Sequence, residues 1–404
     1  MITKNRFIEN EIINSLKFAR IVEILGARQV GKSTIAKKIA FENENSKYVT
    51  LDDKDTALWA KNDRVGFIRQ NLGGLLVIDE IQLVSDLIPE LKKQVDNNPE
   101  PGHYIITGSA NLSDLKPIHE SLAGRAMICE MMGFSQDEII GKQSNWLKCI
   151  FNNELNKQYT SKMIQQDYLK IMEIGAYPDV VMNDENFRKK WFKNYLNLIF
   201  NRDAKDISDL RRIGDLPKML KYLSSILGKE LVLSNMANDI SIPRTTLDPY
   251  LDLLETMFII KKLDSWSGNL TSQVVSNKKT FILDSGIASY YNKGKNLGGI
   301  FESFIASEVQ KQILYSQEEI QMFHFRDYNK NEVDLILENE QNEIVAIEIK
   351  LTSTPNYSDG KILRLLKNKY GSKMKYGIVL YTGQETKTFD DGILTMPASS
   401  VWDR

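Results

Sequence analysis

Two groups of residues in this sequence have the types and spacing that phosphate chemistry needs. The first fits the P-loop pattern Gly-x4-Gly-Lys-[Ser/Thr]. Its predicted nucleotide-binding residues are Gly26, Ala27, Arg28, Gln29, Val30, Gly31, Lys32, Ser33 and Thr34. Glycines let successive backbone N–H groups curve around a polyphosphate, and the helix that follows points its positive end at the same charge. We expect Lys32 to reach the β- and γ-phosphates and Ser33 to bind Mg²⁺.

A second signal supports nucleotide hydrolysis. Four apolar residues, 75–78, are followed directly by Asp79 and Glu80. This pattern predicts a buried strand with two acids at its carboxyl end, where open α/β sheets bind ligands. Asp79 would complete the Mg²⁺ shell and bind the nucleotide, and Glu80 would polarise the attacking water. The alternative is a strand that ends in solvated acids, which the P-loop upstream makes less favoured.

Further polar residues follow the next predicted strands. Thr107 and Ser109 end the strand 103–109 and are candidate γ-phosphate sensors, although turn residues are an equal alternative. Arg125 is a candidate arginine finger, in cis or across a subunit interface, and a surface arginine is its alternative. No Asn-Lys-x-Asp motif stands where a guanine would be read, so the expected nucleotide is ATP.

The second group lies in the last third of the chain. Glu302 begins a predicted helix, Asp334 lies in a predicted strand, and Glu348 and Lys350 lie in the next strand. Strand alternation puts Glu348 and Lys350 on one face, where Asp334 can meet them. Three carboxylates predict a site for Mg²⁺ or Mn²⁺, and Lys350 could activate water. The alternative is ordinary charge alternation on an exposed strand face.

These residues resemble known families. The P-loop, Asp79-Glu80-Ile81-Gln82, Thr107-Gly108-Ser109 and Ser121-Leu122-Ala123-Gly124-Arg125 resemble prokaryotic AAA-type P-loop ATPases that carry a C-terminal nuclease-like domain of unknown function. The resemblance favours roles for Arg125 and Gln82.

The spacing Asp334-x13-Glu348-x-Lys350 resembles the PD-(D/E)xK phosphodiesterase superfamily, in which Glu302 matches the helical acid. Glu332-Val333 stands where the proline of that signature would precede Asp334.

The middle of the chain is predicted to be helical. Gly175-Ala176-Tyr177-Pro178 breaks two helices and, by the resemblance, faces the nucleotide. Residues 233–247 predict a helix-turn-helix capped by Ser234, followed by a winged-helix strand, and Pro249 is expected to kink the second helix or shift its start. DNA binding and an interaction or lid role are both open, because a basic recognition face is mostly lacking.

Composition narrows the function classes. The 404 residues carry a formal net charge of −1, so a nucleic-acid surface must be a local patch. Candidate patches are residues 185–232 and the stretch 361–375, which has six basic residues and no acids. Two cysteines exclude a disulfide framework, and three scattered histidines argue against histidine metal sites. With no long apolar run and no signal peptide, we expect a cytoplasmic protein without membrane contact.

The expected fold class is α/β, with three domains. Residues 1–160 would form a P-loop ATPase domain with a parallel sheet, residues 161–290 a helical and winged-helix domain, and residues 291–404 a restriction-endonuclease-like α/β domain. The expected function is Mg²⁺-dependent ATP hydrolysis coupled to recognition or cleavage of nucleic acid, DNA rather than RNA. The alternative is an ATP-gated switch that binds DNA or a protein without cleavage. A homo-oligomer and a monomer are both open.

Overall fold

The computed structural model describes residues 4–109, 122–204, 213–267, 277–316, 318–389 and 391–403. The strands are β1 (Ile21–Gly26), β2 (Ser46–Thr50), β3 (Leu75–Asp79), β4 (Tyr104–Ser109), β5 (Ala126–Glu130), β6 (Ile260–Leu263), β7 (Lys279–Ile282), β8 (Ile320–Arg326), β9 (Glu332–Asn339), β10 (Ile344–Lys350), β11 (Met374–Tyr381), β12 (Lys387–Thr388) and β13 (Leu394–Pro397). The helices are α1 (Ile8–Leu16), α2 (Lys32–Glu42), α3 (Lys54–Asn62), α4 (Arg64–Ile68), α5 (Leu87–Asn97), α6 (Gln136–Ile140), α7 (Trp146–Phe151), α8 (Gln165–Ile174), α9 (Pro178–Val181), α10 (Glu185–Leu198), α11 (Leu216–Ile226), α12 (Leu233–Ile240), α13 (Arg244–Thr256), α14 (Ser285–Asn292), α15 (Leu297–Tyr315) and α16 (Lys361–Tyr370).

The first sheet positions the predicted nucleotide site. Its five strands follow the order β2-β3-β4-β1-β5, and every neighbouring pair is parallel. Strands β1 and β3 are buried on both faces, which explains why their residues are apolar apart from Glu23 in β1 and Asp79 at the end of β3. Because the strands are parallel, their carboxyl ends share one edge, where Ser109 lies opposite Gly26 and Thr50 lies opposite Asp79. The predicted parallel α/β sheet is confirmed.

The middle of the chain is helical and ends in a strand pair. Helices α11, α12 and α13 precede the antiparallel pair of β6 and β7. Helix α12 begins after Val232, so the prediction that Ser234 caps it is wrong: Ser234 lies inside the first turn. Helix α13 runs unbroken through Pro249, because Leu247, Tyr250 and Leu254 anchor it in the core. The winged helix stays a prediction, and residues 205–212 and 268–276 lie outside the described part.

The C-terminal sheet is mixed. Its order is β12-β13-β11-β10-β9-β8; β8, β9 and β10 pair antiparallel, while β10, β11 and β13 pair parallel. Helix α15 covers one face, over Val345 and Ile347, and α16 covers the other, over Ile344 and Ala346. The element order α15, β8, β9, β10, α16, β11 places the carboxylates of α15, β9 and β10 near one another. A restriction-endonuclease-like fold stays a prediction.

Apolar packing joins all three predicted domains. One cluster of buried side chains includes Val22 of the first sheet, Leu254 of the middle helices and Ile347 of the C-terminal sheet. Tyr168 of α8 packs edge-on against both Phe301 and Trp402. The domain boundaries at residues 160 and 290 stay predictions, since this packing crosses both of them.

Candidate functional site

The P-loop connects β1 to α2 in a backbone conformation that needs glycine. Gly26 has φ 154°, and a Cβ placed there would lie 2.0 Å from the carbonyl oxygen of Met131. The loop is therefore held tightly against the chain that leaves β5. Ser33 and Thr34 lie in the first turn of α2, as a phosphate and Mg²⁺ site requires.

Lys32 is buried and bonded to its own loop. Its ammonium donates to the carbonyl oxygens of Gly26 at 2.8 Å and Ala27 at 2.9 Å. Both of these acceptors are neutral and lie within six residues of Lys32. Phosphate oxygens can replace these two carbonyl acceptors without leaving a charged group unpaired.

Arg6 braces the same loop, and sequence reasoning missed it. Its guanidinium donates to the carbonyl oxygens of Val30 at 2.8 Å and Met132 at 2.6 Å, and to the Glu138 carboxylate at 3.1 Å. Arg6 thus ties the P-loop to the segment after β5. An isolated arginine near the start of the sequence gives no local signal for this role.

Asp79 ends β3 next to the P-loop and is oriented by two neighbours. Its carboxylate accepts from the Tyr48 hydroxyl at 2.8 Å and from the Thr107 hydroxyl at 2.5 Å. Burial, with Asp79 beside it, raises the pKa of Tyr48 well above its ordinary value, so Tyr48 remains a donor. Thr107, a predicted γ-phosphate sensor, is therefore engaged with Asp79 in this structure.

Glu80 follows in a left-handed backbone conformation. Its φ is 57°, which is uncommon for a residue with a side chain, and its N–H donates to Thr107 Oγ1 at 3.1 Å. The Glu80 carboxylate accepts from the Gln82 amide. Gln82 thus orients the predicted catalytic acid. This contact is a physical reason for the role that the resemblance favours for Gln82. Ser109 ends β4 beside Gly26 in backbone register, and its side chain is outside the description.

Arg125 does not reach its own P-loop. It stands just before β5, at the amino edge of the sheet, whereas the P-loop and Asp79 stand at the carboxyl edge. Five strand residues separate the two edges, roughly 16 Å. Arg125 pairs with Asp96 through two hydrogen bonds, at 2.6 and 3.0 Å. This position does not favour a role in cis, and a role across a subunit interface stays a prediction. Ser121 of the same motif lies outside the described residues.

The C-terminal residues of the predicted second site converge. Asp334 of β9 accepts from the Ile349 backbone N–H at 2.9 Å, and Lys350 donates to Glu348 at 2.8 Å, both on β10. Glu302 of α15 and Asp334 share a third partner, Lys279 of β7. Its ammonium lies 2.5 Å from Glu302 Oε1 and 3.1 Å from Asp334 Oδ1. We call Glu302, Asp334, Glu348, Lys350 and Lys279 the carboxylate cluster.

Charge and burial set the protonation of this cluster. Burial and the nearby Asp334 raise the pKa of Glu302 to about 7 and raise the pKa of Glu348 well above its ordinary value. Burial alone would raise the pKa of Asp334 too, but Lys279 and Lys350 hold it below its ordinary range. Asp334 is therefore the ionised centre of the cluster.

The predicted metal site at Glu302, Asp334 and Glu348 needs correction. Within the described residues, no group of three or more His, Cys, Asp or Glu is arranged to hold a metal ion. The physical reason is Lys279, whose buried ammonium stands between two of the three carboxylates where a metal would bind. No catalytic step through a metal is derived at this cluster. Its lysine was not predicted, because β7 is four residues long and far from Asp334 in sequence.

A buried turn lies between the two sites. The Asp284 carboxylate, just past β7, accepts from the Ala176 N–H at 2.7 Å and from the Ile287 N–H at 2.9 Å. Gly175 has φ 79°, and a Cβ there would lie 2.7 Å from the same carboxylate. The Ala176 carbonyl in turn accepts from the Phe134 N–H at 2.7 Å.

Aromatic side chains continue this connection to the P-loop. The hydroxyls of Tyr177 and Tyr195 lie 2.7 Å apart, and Tyr195 donates to the Arg28 carbonyl at 3.4 Å. The turn was predicted to face the nucleotide, and its Tyr177 is linked through Tyr195 to the loop that would bind the nucleotide.

The basic stretch 361–375 is partly neutralised by acids. Arg364 pairs with Asp391, Lys373 lies 3.3 Å from Glu338, and Lys375 lies 2.7 Å from Glu343. Lys361 and Lys369 are exposed on α16. The surface available to a nucleic-acid backbone is thus smaller than the sequence count implies.

No helix among the described residues is both long enough and apolar enough to cross a bilayer.

Three family models match successive parts of the chain. Residues 19–140 match a model described as "AAA domain", and residues 165–297 and 297–401 match two models described as "Domain of unknown function", DUF8612 and DUF4143.

Two of the curated relatives show how far the similarity extends along the chain. An uncharacterized protein of Mycobacterium tuberculosis is 22% identical over 99% of this chain and 85% of its own length. An uncharacterized protein of Methanocaldococcus jannaschii is 24% identical over 96% of this chain and 87% of its own length. Among solved structures, AMPPCP-bound DnaA from Aquifex aeolicus is 12% identical, covering 61% of this chain and 85% of that one, with a TM-score of 0.29. A likeness at that TM-score carries no conclusion about this chain.

Proposed function

We propose that the chain is a Mg²⁺-dependent ATPase whose nucleotide cycle controls its C-terminal part, starting from the match of residues 19–140 to the AAA domain model. The AAA match supports ATP binding and hydrolysis. The coupling, the magnesium ion and the target of the C-terminal part are our proposal.

The observation that carries ATP hydrolysis is the joining of Asp79, Thr107 and Glu80 beside the P-loop. Thr107 donates to Asp79 and accepts from the Glu80 backbone, so one hydroxyl fixes both acids. Glu80 would accept a proton from the attacking water, and Lys32 would exchange its carbonyl partners for the β- and γ-phosphates.

The residues at this edge of the sheet fit a magnesium ion. Ser33 supplies a hydroxyl and Asp79 a carboxylate, and Mg²⁺ takes such oxygen ligands together with phosphate oxygens and water. Bound there, the ion would neutralise charge that develops on the phosphates. Tyr48 and Thr107 would keep the Asp79 carboxylate oriented toward it.

Two sets of contacts support coupling to the C-terminal part. The turn at Gly175 connects the Arg28 carbonyl, through Tyr195 and Tyr177, to Asp284 beside β7. Independently, Lys311 and Glu308 of α15 bond the segment after β5: Lys311 donates to the Phe134 carbonyl at 3.0 Å, and Glu308 accepts from the Gln136 N–H at 2.7 Å. Helix α15 carries Glu302 and β7 carries Lys279, so both paths lead to elements that carry the carboxylate cluster.

We propose nucleic acid, DNA rather than RNA, as the ligand of the C-terminal part. The αβββαβ order, the clustered acids and Lys350, and the exposed lysines of α16 support it. A second candidate is a switch that acts on DNA or a protein partner without cleavage. Lys279 favours that candidate, because it stands between the carboxylates that a metal-dependent nuclease would use.

Two assays test the proposal. ATP hydrolysis by the full chain should require Mg²⁺ and be lost in Lys32→Met, with exposed Lys37→Met as the matched control on the same helix. Single- and double-stranded DNA and RNA should then be tested for binding and cleavage with ATP, ADP and no nucleotide. Hydrolysis that persists in Lys32→Met would remove the ATPase site. Nucleic-acid affinity that does not respond to nucleotide would remove the coupling.

A further inference from the structure

Lys279 is placed as a built-in partner of the carboxylate cluster. It begins β7, and its side chain is only 8% exposed. Its ammonium contacts carboxylates from two different elements, Glu302 on α15 and Asp334 on β9. A lysine buried to this degree is rare unless paired, and here it is paired twice.

The contacts of β7 hold this lysine in place. The Ser303 hydroxyl accepts from the Ile282 N–H and donates to the Ile282 carbonyl, both at 2.9 Å. The Ser307 hydroxyl donates to the Leu283 carbonyl at 2.7 Å. Both serines lie on α15, the helix that carries Glu302, so β7 and α15 are fastened together and fix the distance between Lys279 and Glu302.

Charge balance leaves no requirement for another cation. Fully ionised, Glu302, Asp334 and Glu348 would contribute three negative charges, and Lys279 and Lys350 contribute two positive ones. One proton on the acids balances the cluster. A divalent metal added beside Lys279 would sit within a few ångströms of a buried ammonium, where like charges repel strongly.

We infer that Lys279 takes the cation position of the carboxylate cluster, so that the C-terminal part of this chain works without a divalent metal there. This inference rests on the proposed function for its meaning, because it defines the C-terminal part as a binding module that ATP controls rather than a metal-dependent nuclease. It depends on no nucleotide for its test.

Mn²⁺ binding to the full chain, measured by electron paramagnetic resonance without nucleotide, tests the inference. Wild type and the charge-conserving Lys279→Arg should show no Mn²⁺ site that depends on Asp334. Lys279→Met removes the ammonium and keeps an unbranched side chain of similar length. This variant should gain a Mn²⁺ site that binds at least tenfold more tightly than any in wild type. Adding Asp334→Asn to Lys279→Met should abolish that site. Lys278→Met, an exposed neighbour, is the matched control and should gain nothing.

Each outcome decides. A wild-type Mn²⁺ site that disappears in Asp334→Asn overturns the inference, and so does a folded Lys279→Met protein that gains no site. If Lys279→Met does not fold, wild type against Asp334→Asn decides alone: an Asp334-dependent site overturns the inference, and its absence supports it. Loss of ATP hydrolysis in a separate assay would count against the proposed function and leave these Mn²⁺ results readable.

Discussion

The P-loop and the carboxylate cluster each contain a buried lysine, and the two lysines are held differently. Lys32 donates to neutral carbonyls of its own loop, whereas Lys279 joins carboxylates on two other elements. Exchanging a carbonyl for a phosphate oxygen strands no charge, but withdrawing Lys279 would leave buried carboxylates uncompensated. The two lysines therefore differ in the acceptors that hold them, backbone carbonyls for Lys32 and carboxylates for Lys279.

The largest effect is expected at the first site. Glu80→Gln removes the predicted general base while keeping the shape of the side chain, so ATP turnover should fall by roughly 10²–10⁴-fold with ATP binding retained. Turnover and nucleotide affinity measured separately would check this. Glu100→Gln, at the exposed end of the same domain, should leave both unchanged. If Glu80→Gln hydrolyses ATP at the wild-type rate, another group activates the water.

The second site should instead respond in stability. Lys279→Met should lower the free energy of unfolding by about 3–5 kcal/mol, because it leaves buried carboxylates without their ammonium. Lys278, its neighbour, makes an exposed ion pair with Asp264, so Lys278→Met should cost less than about 1 kcal/mol. Urea unfolding of the two variants measures the difference. Equal losses of unfolding free energy in the two variants would mean that the ion pairs of Lys279 do not stabilise the fold.

Glu23 sharpens the contrast in how burial acts on acids. It lies in β1, and burial raises its pKa to about 7, whereas lysines overcome burial at Asp334. Folded Glu23 therefore keeps its proton up to about pH 7, whereas in the unfolded chain the same carboxyl, with an ordinary pKa of 4.5, loses its proton at lower pH. Stability should fall as pH rises from about 5 to 7, by up to about 3 kcal/mol, and then level off.

In Glu23→Gln this part of the pH dependence should disappear. Thermal unfolding midpoints of both proteins between pH 5 and pH 8 provide the check. A slope that is unchanged in Glu23→Gln would assign the pH dependence to other groups.

The smallest effect concerns the connection between the sites. Tyr195→Phe removes the hydroxyl that joins Tyr177 to the Arg28 carbonyl, and it should lower the free energy of unfolding by about 1 kcal/mol. It should also weaken the response of nucleic-acid affinity to ATP. Tyr290→Phe, at a ring that packs on Phe192, is the control and should preserve that response. A full response in Tyr195→Phe would place the coupling in α15 alone.

Local patterns in the sequence predicted the strands and the helix that carry the P-loop and Asp79. The P-loop and the strand 75–79 are contiguous in sequence, and their glycines, apolar runs and acids carry their own structural meaning. The parallel sheet followed from strands that alternate with helices. Tyr48 and Thr107 bond Asp79 from the two neighbouring strands. Only strand order reveals the contact of Tyr48 with Asp79, and Thr107, which bonds the same carboxylate, stays a predicted γ-phosphate sensor.

The second site shows where sequence reasoning fails. Asp334, Glu348 and Lys350 follow from strand alternation, and the structure brings them together. Lys279 comes from another part of the chain. Its one local signal is its own charge at the start of the short strand β7. For Arg125, roles in cis and across a subunit interface both stayed open for a related reason: spacing along the chain does not say at which edge of the sheet a residue stands.

The buried side chains shared by all three parts limit how this protein could be dissected or recombined. Val22, Leu254 and Ile347 belong to one apolar cluster, so cutting the chain between any two parts would expose a large apolar surface to water. An isolated ATPase fragment would therefore be expected to aggregate. A C-terminal part joined to a different ATPase domain would lose the apolar surface against which α15 and β7 pack. The three parts are therefore expected to be inherited and to vary together.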